Sequence, residues 1–212
     1  MAKDKSFTHQ TILKVAREQF IKYGYSQTSI RTIAKLSGVT SAALYKHAVD
    51  KEDLFSQIVS PFVDSYKKAR KSHIQKNVEA LHKNTASPVS KSPDTSNQNF
   101  DSGFNILQEI VLPYREEIKL ICNKAQGTKY ENFFHEAINK DVDDTYNSLM
   151  SLKKEGKKIN VLTKKELHVL ISAYYTASLE PILHDYTTEE TMRCFKLTID
   201  SFMPGWLKII GY

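Results

Sequence analysis

Between Thr28 and Leu54 the chain reads TSIRTIAKLSGVTSAALYKHAVDKEDL, and this run constrains the fold more than any other stretch. Thr28, Thr40 and Asp50 each suit the N-cap of a helix, and their spacing leaves room only for short helices. A capping oxygen accepts an N–H that the first turn of a helix leaves without a partner, so each cap marks a start. Thr28 is expected to open a helix bearing Ile30, Ile33 and Ala34. Gly38 then supplies a tight turn, and Thr40 caps the next helix. Val39 with Leu44, and Val49 with Leu54, stand where hydrophobic staples would hold two successive helices, and Asp53 lies at the third position after the Asp50 cap. Short helices at fixed angles make a small rigid head.

This is a helix–turn–helix pattern with a physical basis. Ile33 and Ala34 point inward from the first helix, and Ala34 is small enough for close helix crossing. The second helix buries Leu44 and exposes Ser41, Ala42, Tyr45 and Lys46, a face sized for the major groove of DNA. Upstream, Ile12, Ala16 and Phe20 form a helical stripe widened by Leu13 and Val15, and Gly24 is placed to end that helix. The formal net charge of the 212 residues is +6. Residues 1–54 hold nine Lys/Arg and five Asp/Glu, 9 − 5 = +4, whereas residues 55–212 hold 21 and 19, 21 − 19 = +2. Basicity is therefore concentrated where a polyanion would meet it.

Helical spacing of apolar residues continues through the rest of the chain, strand-like alternation is scarce, and the expected fold is all-α. The helix after Leu54 carries Ile58, Phe62 and Tyr66, with a kink expected at Pro61. Residues 84–103, rich in Ser, Thr, Asn and Pro, are expected to form a mobile loop. Helix resumes from about Phe104 to Ala125 with an interruption at Pro113, and Gly127 and Gly156 bracket another helical region. Two last helices span roughly 163–184 and 188–209, the second opened by a Thr187–Glu190 capping box. No run approaches the roughly eighteen apolar residues of a membrane span, and MAKDKSFTHQ lacks the apolar core of a secretory signal, so a cytoplasmic location away from membranes is expected. Cys122 and Cys194 are isolated and read as small buried apolar residues, not as a disulfide or metal pair.

The helix–turn–helix run resembles the TetR family of bacterial regulators. The resemblance rests on Ala16, Phe20, Gly24, Tyr25, Thr28, Ile33, Ala34, Gly38, Val39, Leu44, Tyr45, Lys51, Asp53 and Leu54, and it covers residues 8–54. Ala48 departs from it, standing where the family places a bulkier side chain behind the reading helix. The resemblance implies a DNA-binding domain in residues 1–54, an N-terminal three-helix reading module, and a helical effector-binding and dimerisation domain in residues 55–212. It implies phosphate contacts from Thr28, Ser29, Tyr45 and Lys51, with Thr40 in the same interface, and base contacts from Arg31, Ser41, Ala42 and Lys46. His47 faces bases, meets a phosphate, or packs against the first helix. The implied partners are a near-palindromic double-stranded DNA operator, an unknown small-molecule effector and a second copy of the chain.

Aromatic residues Tyr114, Phe133, Phe134, Tyr146, Tyr174 and Tyr175 are the candidates to line an effector pocket, with ordinary core as the simpler reading for each. Ile171, Tyr174, Ser178, Ile182, Phe195, Ile199, Phe202 and Trp206 form the stripe expected to build a four-helix dimer interface. Neither a catalytic constellation nor a metal-ligand or cofactor motif is present in the sequence: the seven histidines show no HExxH or HxH spacing. Glu180, before Pro181, reads as solvent-facing. The expected function is that of a transcription regulator, a repressor released by ligand. The alternative is a scaffold of the same fold that binds a protein or small molecule with little DNA-binding role.

Overall fold

The computed structural model describes the backbone of residues 2–82 and 107–211, with side chains at 6–72 and 107–211. The expected loop at 84–103 lies outside the described residues. Those described form helices and turns, with no strand among them. In chain order the elements are α1 (Ala2–Gln27), α2 (Ile30–Leu36), α3 (Ser41–Leu44), α4 (Lys51–His82), a π-helical turn α5 (Leu107–Val111), α6 (Arg115–Lys124), α7 (Phe133–Lys154), α8 (Lys164–Leu183) and α9 (Thr188–Ile210). No helix among the described residues is long and apolar enough to cross a membrane.

The chain divides into two compact units, Met1–Ser65 with Tyr114–Phe133, and Tyr66–Pro113 with Phe134–Tyr212. In the first, the stripe Ile12, Ala16 and Phe20 is fully buried, together with Ile33, Leu44, Leu54 and Phe55. Phe55 is its hub: the rings of Phe20, Tyr25 and Tyr130 lie 5.2, 5.6 and 6.0 Å from it. Edge-on pairs at such distances add to the gain from area burial. α6 belongs to this unit and packs on α1, with Arg17 paired to the buried Glu117. Gly24, at φ +81° and ψ 164°, breaks α1 near its end, as expected of a residue free of the Cβ penalty. α4 continues through Pro61 without interruption.

In the second unit Val142, Leu149, Leu167, Leu207 and Ile210 form one core cluster, and Leu107, Phe195 and Ile199 another. Capping boxes open both long final helices: Thr163 with Glu166 on α8, and the expected Thr187 with Glu190 on α9. The backbone N–H of Thr163 and of Thr187 donates to its glutamate, and those bonds hold both carboxyls below their ordinary range. α9 ends on Gly211 in the left-handed region, and Asn160 donates from its backbone and side chain to the carbonyls of Ile210 and Ile209.

The stripe expected to face a second copy is partly covered within the unit. Ile182, Phe195 and Ile199 are buried within the unit, Ile171 and Trp206 pack against its core, and Tyr174 meets Phe202 edge-on at 5.7 Å. The large apolar side chains that α8 and α9 leave exposed are Val169, Leu197, Met203 and Ile209. The reason is that α8 and α9 pack against each other, and their first claim on apolar surface is that mutual contact.

Candidate nucleic-acid interface

The helix–turn–helix begins one residue later than its first cap was placed. Ser29, not Thr28, is the N-cap of α2, its hydroxyl accepting from Thr32 N–H at 3.1 Å. Thr28 is only 4% exposed, and its hydroxyl donates to the carbonyls of Gly24 at 2.8 Å and Gln19 at 3.2 Å. Gly24 interrupts the helix, and the Thr28 hydroxyl supplies its carbonyl with a donor. In the free chain the Thr28 hydroxyl is thus engaged by backbone carbonyls and is not an exposed group.

α2 turns Ile33 and Ala34 inward and leaves Arg31 and Lys35 exposed. Gly38, at φ +70° with open space around it, makes the turn, and Val39 N–H closes back on Ala34 O at 3.0 Å. Thr40 then caps α3 as expected, accepting from Ala43 N–H at 3.1 Å. α3 is one turn long and tightens after Leu44, where Lys46 N–H donates to Ala43 O and His47 N–H to Leu44 O. Leu44 is fully buried beneath it, with Ala48 behind at 4% exposure. Ala42, Tyr45 and Lys46 face solvent, and Ser41 is half-buried at the start of the turn. Tyr45 is 54% exposed. His47 does turn toward α1: its ring stacks on His9 with centroids 5.5 Å apart.

At the start of α4, Asp50 accepts from Asp53 N–H at 2.7 Å, while Asp53 accepts from Val49 N–H at 2.8 Å. The second staple does not form, because Val49 is 81% exposed while Leu54 is buried. Lys51 is also engaged by backbone carbonyls. Its ammonium donates to the carbonyls of Tyr25 at 2.8 Å and Thr28 at 2.9 Å and sits 4.2 Å from the Tyr25 ring centroid. Burial lowers its pKa from the ordinary lysine value. Two of its three protons thus tie α4 to the segment between α1 and α2.

The six aromatic candidates for an effector pocket are divided between the two units. Tyr114 and Phe133 belong to the first unit, each close to Phe62 at 6.0 and 5.8 Å, with the Tyr114 hydroxyl 3.2 Å from Ser65 Oγ. Phe134, Tyr146, Tyr174 and Tyr175 belong to the second. There Tyr146 lines a surface groove of about 280 Å³ with Val161, Leu162, Thr163 and Lys164. Tyr175 heads a polar network that no local pattern in the chain signals. Tyr66 OH lies 2.6 Å from Tyr175 OH, which donates to Asp141 Oδ2 at 2.5 Å; Arg70 donates to Asp141 Oδ1 at 2.6 Å and to Asp144 at 2.5 Å. Burial pushes Tyr66 up to about 12, and burial with the Tyr66 and Asp141 charges raises Tyr175 further. Glu180 faces solvent, paired with His184 at 3.0 Å. No group of three or more metal-ligating side chains occurs among the described residues.

Residues 12–58 match the family described as bacterial regulatory proteins, tetR family. Over 51 residues the chain is 53% identical to the HTH-type transcriptional regulator AcrR of Shigella flexneri, a stretch covering 24% of each protein. Over 49 residues it is 47% identical to the HTH-type transcriptional regulator QacR of Staphylococcus aureus, covering 23% of this chain and 26% of that one. The match thus spans about a quarter of the length of these relatives. Among solved structures the chain is similar to NalD, the secondary repressor of the MexAB-OprM multidrug efflux pump in Pseudomonas aeruginosa, at TM-score 0.55 and 18% identity over 96% of this chain and 97% of that one. A TetR-family transcriptional regulator from Bordetella parapertussis gives TM-score 0.55 and 16% identity over 96% and 98%. These two likenesses establish a shared fold.

Proposed function

From the match of residues 12–58 to the tetR family of bacterial regulatory proteins, we propose that this chain is a sequence-specific DNA-binding regulator of transcription, a repressor that acts as a homodimer and leaves its operator when a small molecule binds. The observation that carries this is the face of α3. Thr40 caps it, Leu44 and Ala48 anchor it from below, and Ala42, Tyr45 and Lys46 stand outward together. One helical turn with that arrangement fits the major groove. Lys46 and Arg31 are the donors suited to guanine edges, Ala42 supplies a methyl-sized contact for thymine, and Ser41 joins them. Tyr45 supplies a hydroxyl for phosphate, beside Ser29 and Thr40 at the two helix starts. Thr28 and Lys51 hold the frame and leave these contacts to the exposed groups.

Residues 1–54 form the reading domain in this proposal, and residues 55–212 serve effector binding and dimerisation. Support for dimerisation comes from apolar side chains left exposed on α8 and α9, Val169 and Leu197 being the most open of them at 66% and 56%. A two-fold pair recognises a near-palindrome, because equivalent reading helices meet equivalent half-sites. Selection of genomic fragments by the purified protein tests the reading. The expected result is one enriched near-palindromic sequence. Enrichment of no sequence would overturn it in favour of a scaffold that binds a protein or small molecule.

A further inference from the structure

His9 continues the buried stripe of α1 toward its N-terminus, preceding Ile12, Ala16 and Phe20 at helical spacing. An imidazole at the end of an apolar stripe needs a partner that tolerates its polarity, and here that partner is His47. The two rings are tilted by 24° with centroids 5.5 Å apart, an offset stack, and both residues are half-buried. His47 comes directly after Tyr45 and Lys46, the exposed residues of the reading turn. Its backbone is held on two sides: its N–H donates to Leu44 O at 2.8 Å, and its carbonyl accepts from Gln57 Nε2 of α4 at 3.2 Å. The ring of His9 adds a third hold, on the side chain. Stacking engages the faces of an imidazole, whereas hydrogen bonding uses its in-plane edge, so the two do not compete.

We propose that His9 is a positioning residue for DNA recognition: stacked on His47, it fixes the imidazole at the end of the reading turn, and it acts on DNA through His47. This rests on the DNA-binding reading above. An aromatic side chain at position 9 preserves the stack, and an alanine abolishes it. The test measures affinity for the selected genomic fragment with the full chain carrying His9→Ala, His9→Phe, His47→Ala, or His9→Ala with His47→Ala.

His9→Ala is expected to weaken binding by about two- to tenfold, the span an aromatic pair commands. His9→Phe is expected to stay within about twofold of the parent on the same grounds. In the His47→Ala background the His9→Ala change is expected to have no further effect, because its partner is already gone. A general loss of folding would not show this dependence on His47 or the rescue by Phe. The inference is overturned if the parent binds its fragment and His9→Ala matches it. It is equally overturned if His9→Phe binds as weakly as His9→Ala, or if His9→Ala costs the same with and without His47. A parent protein that enriches no fragment sinks the DNA-binding reading, and this inference with it. Should His9→Ala fail to fold, His9→Phe and His47→Ala still decide: His9→Phe must keep binding that His47→Ala loses.

Discussion

Four side chains near the reading turn carry similar chemistry and serve different ends. Thr28 and Ser29 are adjacent hydroxyls; one is sealed under the break at Gly24, and the other caps α2. Lys46 and Lys51 are both ammonium groups; one is exposed on α3, and the other is bound to two carbonyls. Their substitutions should therefore separate. Thr28→Val should lower stability by about 1–2 kcal/mol by leaving buried carbonyls short of a donor. Lys51→Ala should lower it by about 1–3 kcal/mol, the range for bonds made by a charged donor. Denaturant midpoints measure both, and neither change should alter the salt dependence of DNA binding. A drop of about one unit in the salt slope for Lys51→Ala, with stability intact, would return it to the phosphate contacts. Tyr45→Phe should instead weaken binding to every sequence alike. Lys46→Ala should relax preference at one position of each half-site, costing roughly 1–3 kcal/mol on the preferred sequence. Competition between fragments altered at single positions distinguishes the two.

At the scale of elements, what a local pattern can encode was legible. Thr40 and the Thr187–Glu190 box were readable because capping involves residues three apart in the chain. The turns at Gly38 and Gly127 were equally local. Thr28 was misread as a cap because its hydroxyl turns back to the Gly24 carbonyl instead of forward into α2, and Val49 because its side chain stays in solvent. The Tyr66–Tyr175–Asp141–Arg70 network was out of reach, since it joins α4, α7 and α8 across long separations. That network has a pH signature. Both phenols have folded values raised above the ordinary 10.0, Tyr66 to about 12. The folded state therefore keeps protons that the unfolded chain releases. Their contribution to stability is whole below pH 10 or so and is lost as pH rises toward about 12. Melting temperature should fall over that window, and phenolate absorbance should show late-titrating tyrosines. Tyr175→Phe should flatten the fall; an unchanged slope would mean that the network titrates like exposed tyrosine.

For the whole molecule, the exposed apolar residues of α8 and α9 make a sharper forecast than the stripe read from periodicity. Leu197→Glu changes a side chain that is 56% exposed, so the fold should tolerate it. The expected outcome is a monomer by light scattering, with folding intact and binding to the near-palindrome lost. A dimer that survived both Leu197→Glu and Val169→Glu would place the two-fold contact elsewhere. The first compact unit has a further consequence, because it is assembled from two stretches, Met1–Ser65 and Tyr114–Phe133, and the division between the units falls inside α4. A reading head of this kind is not a cassette. Grafting residues 1–54 onto another body would leave Phe55, Val59, Ile118 and Leu120 behind, all of them fully buried or nearly so. A chimera that keeps its fold must inherit both stretches together. Recombination between relatives should then respect three junctions rather than one, and the short return segment should travel with the head that it completes.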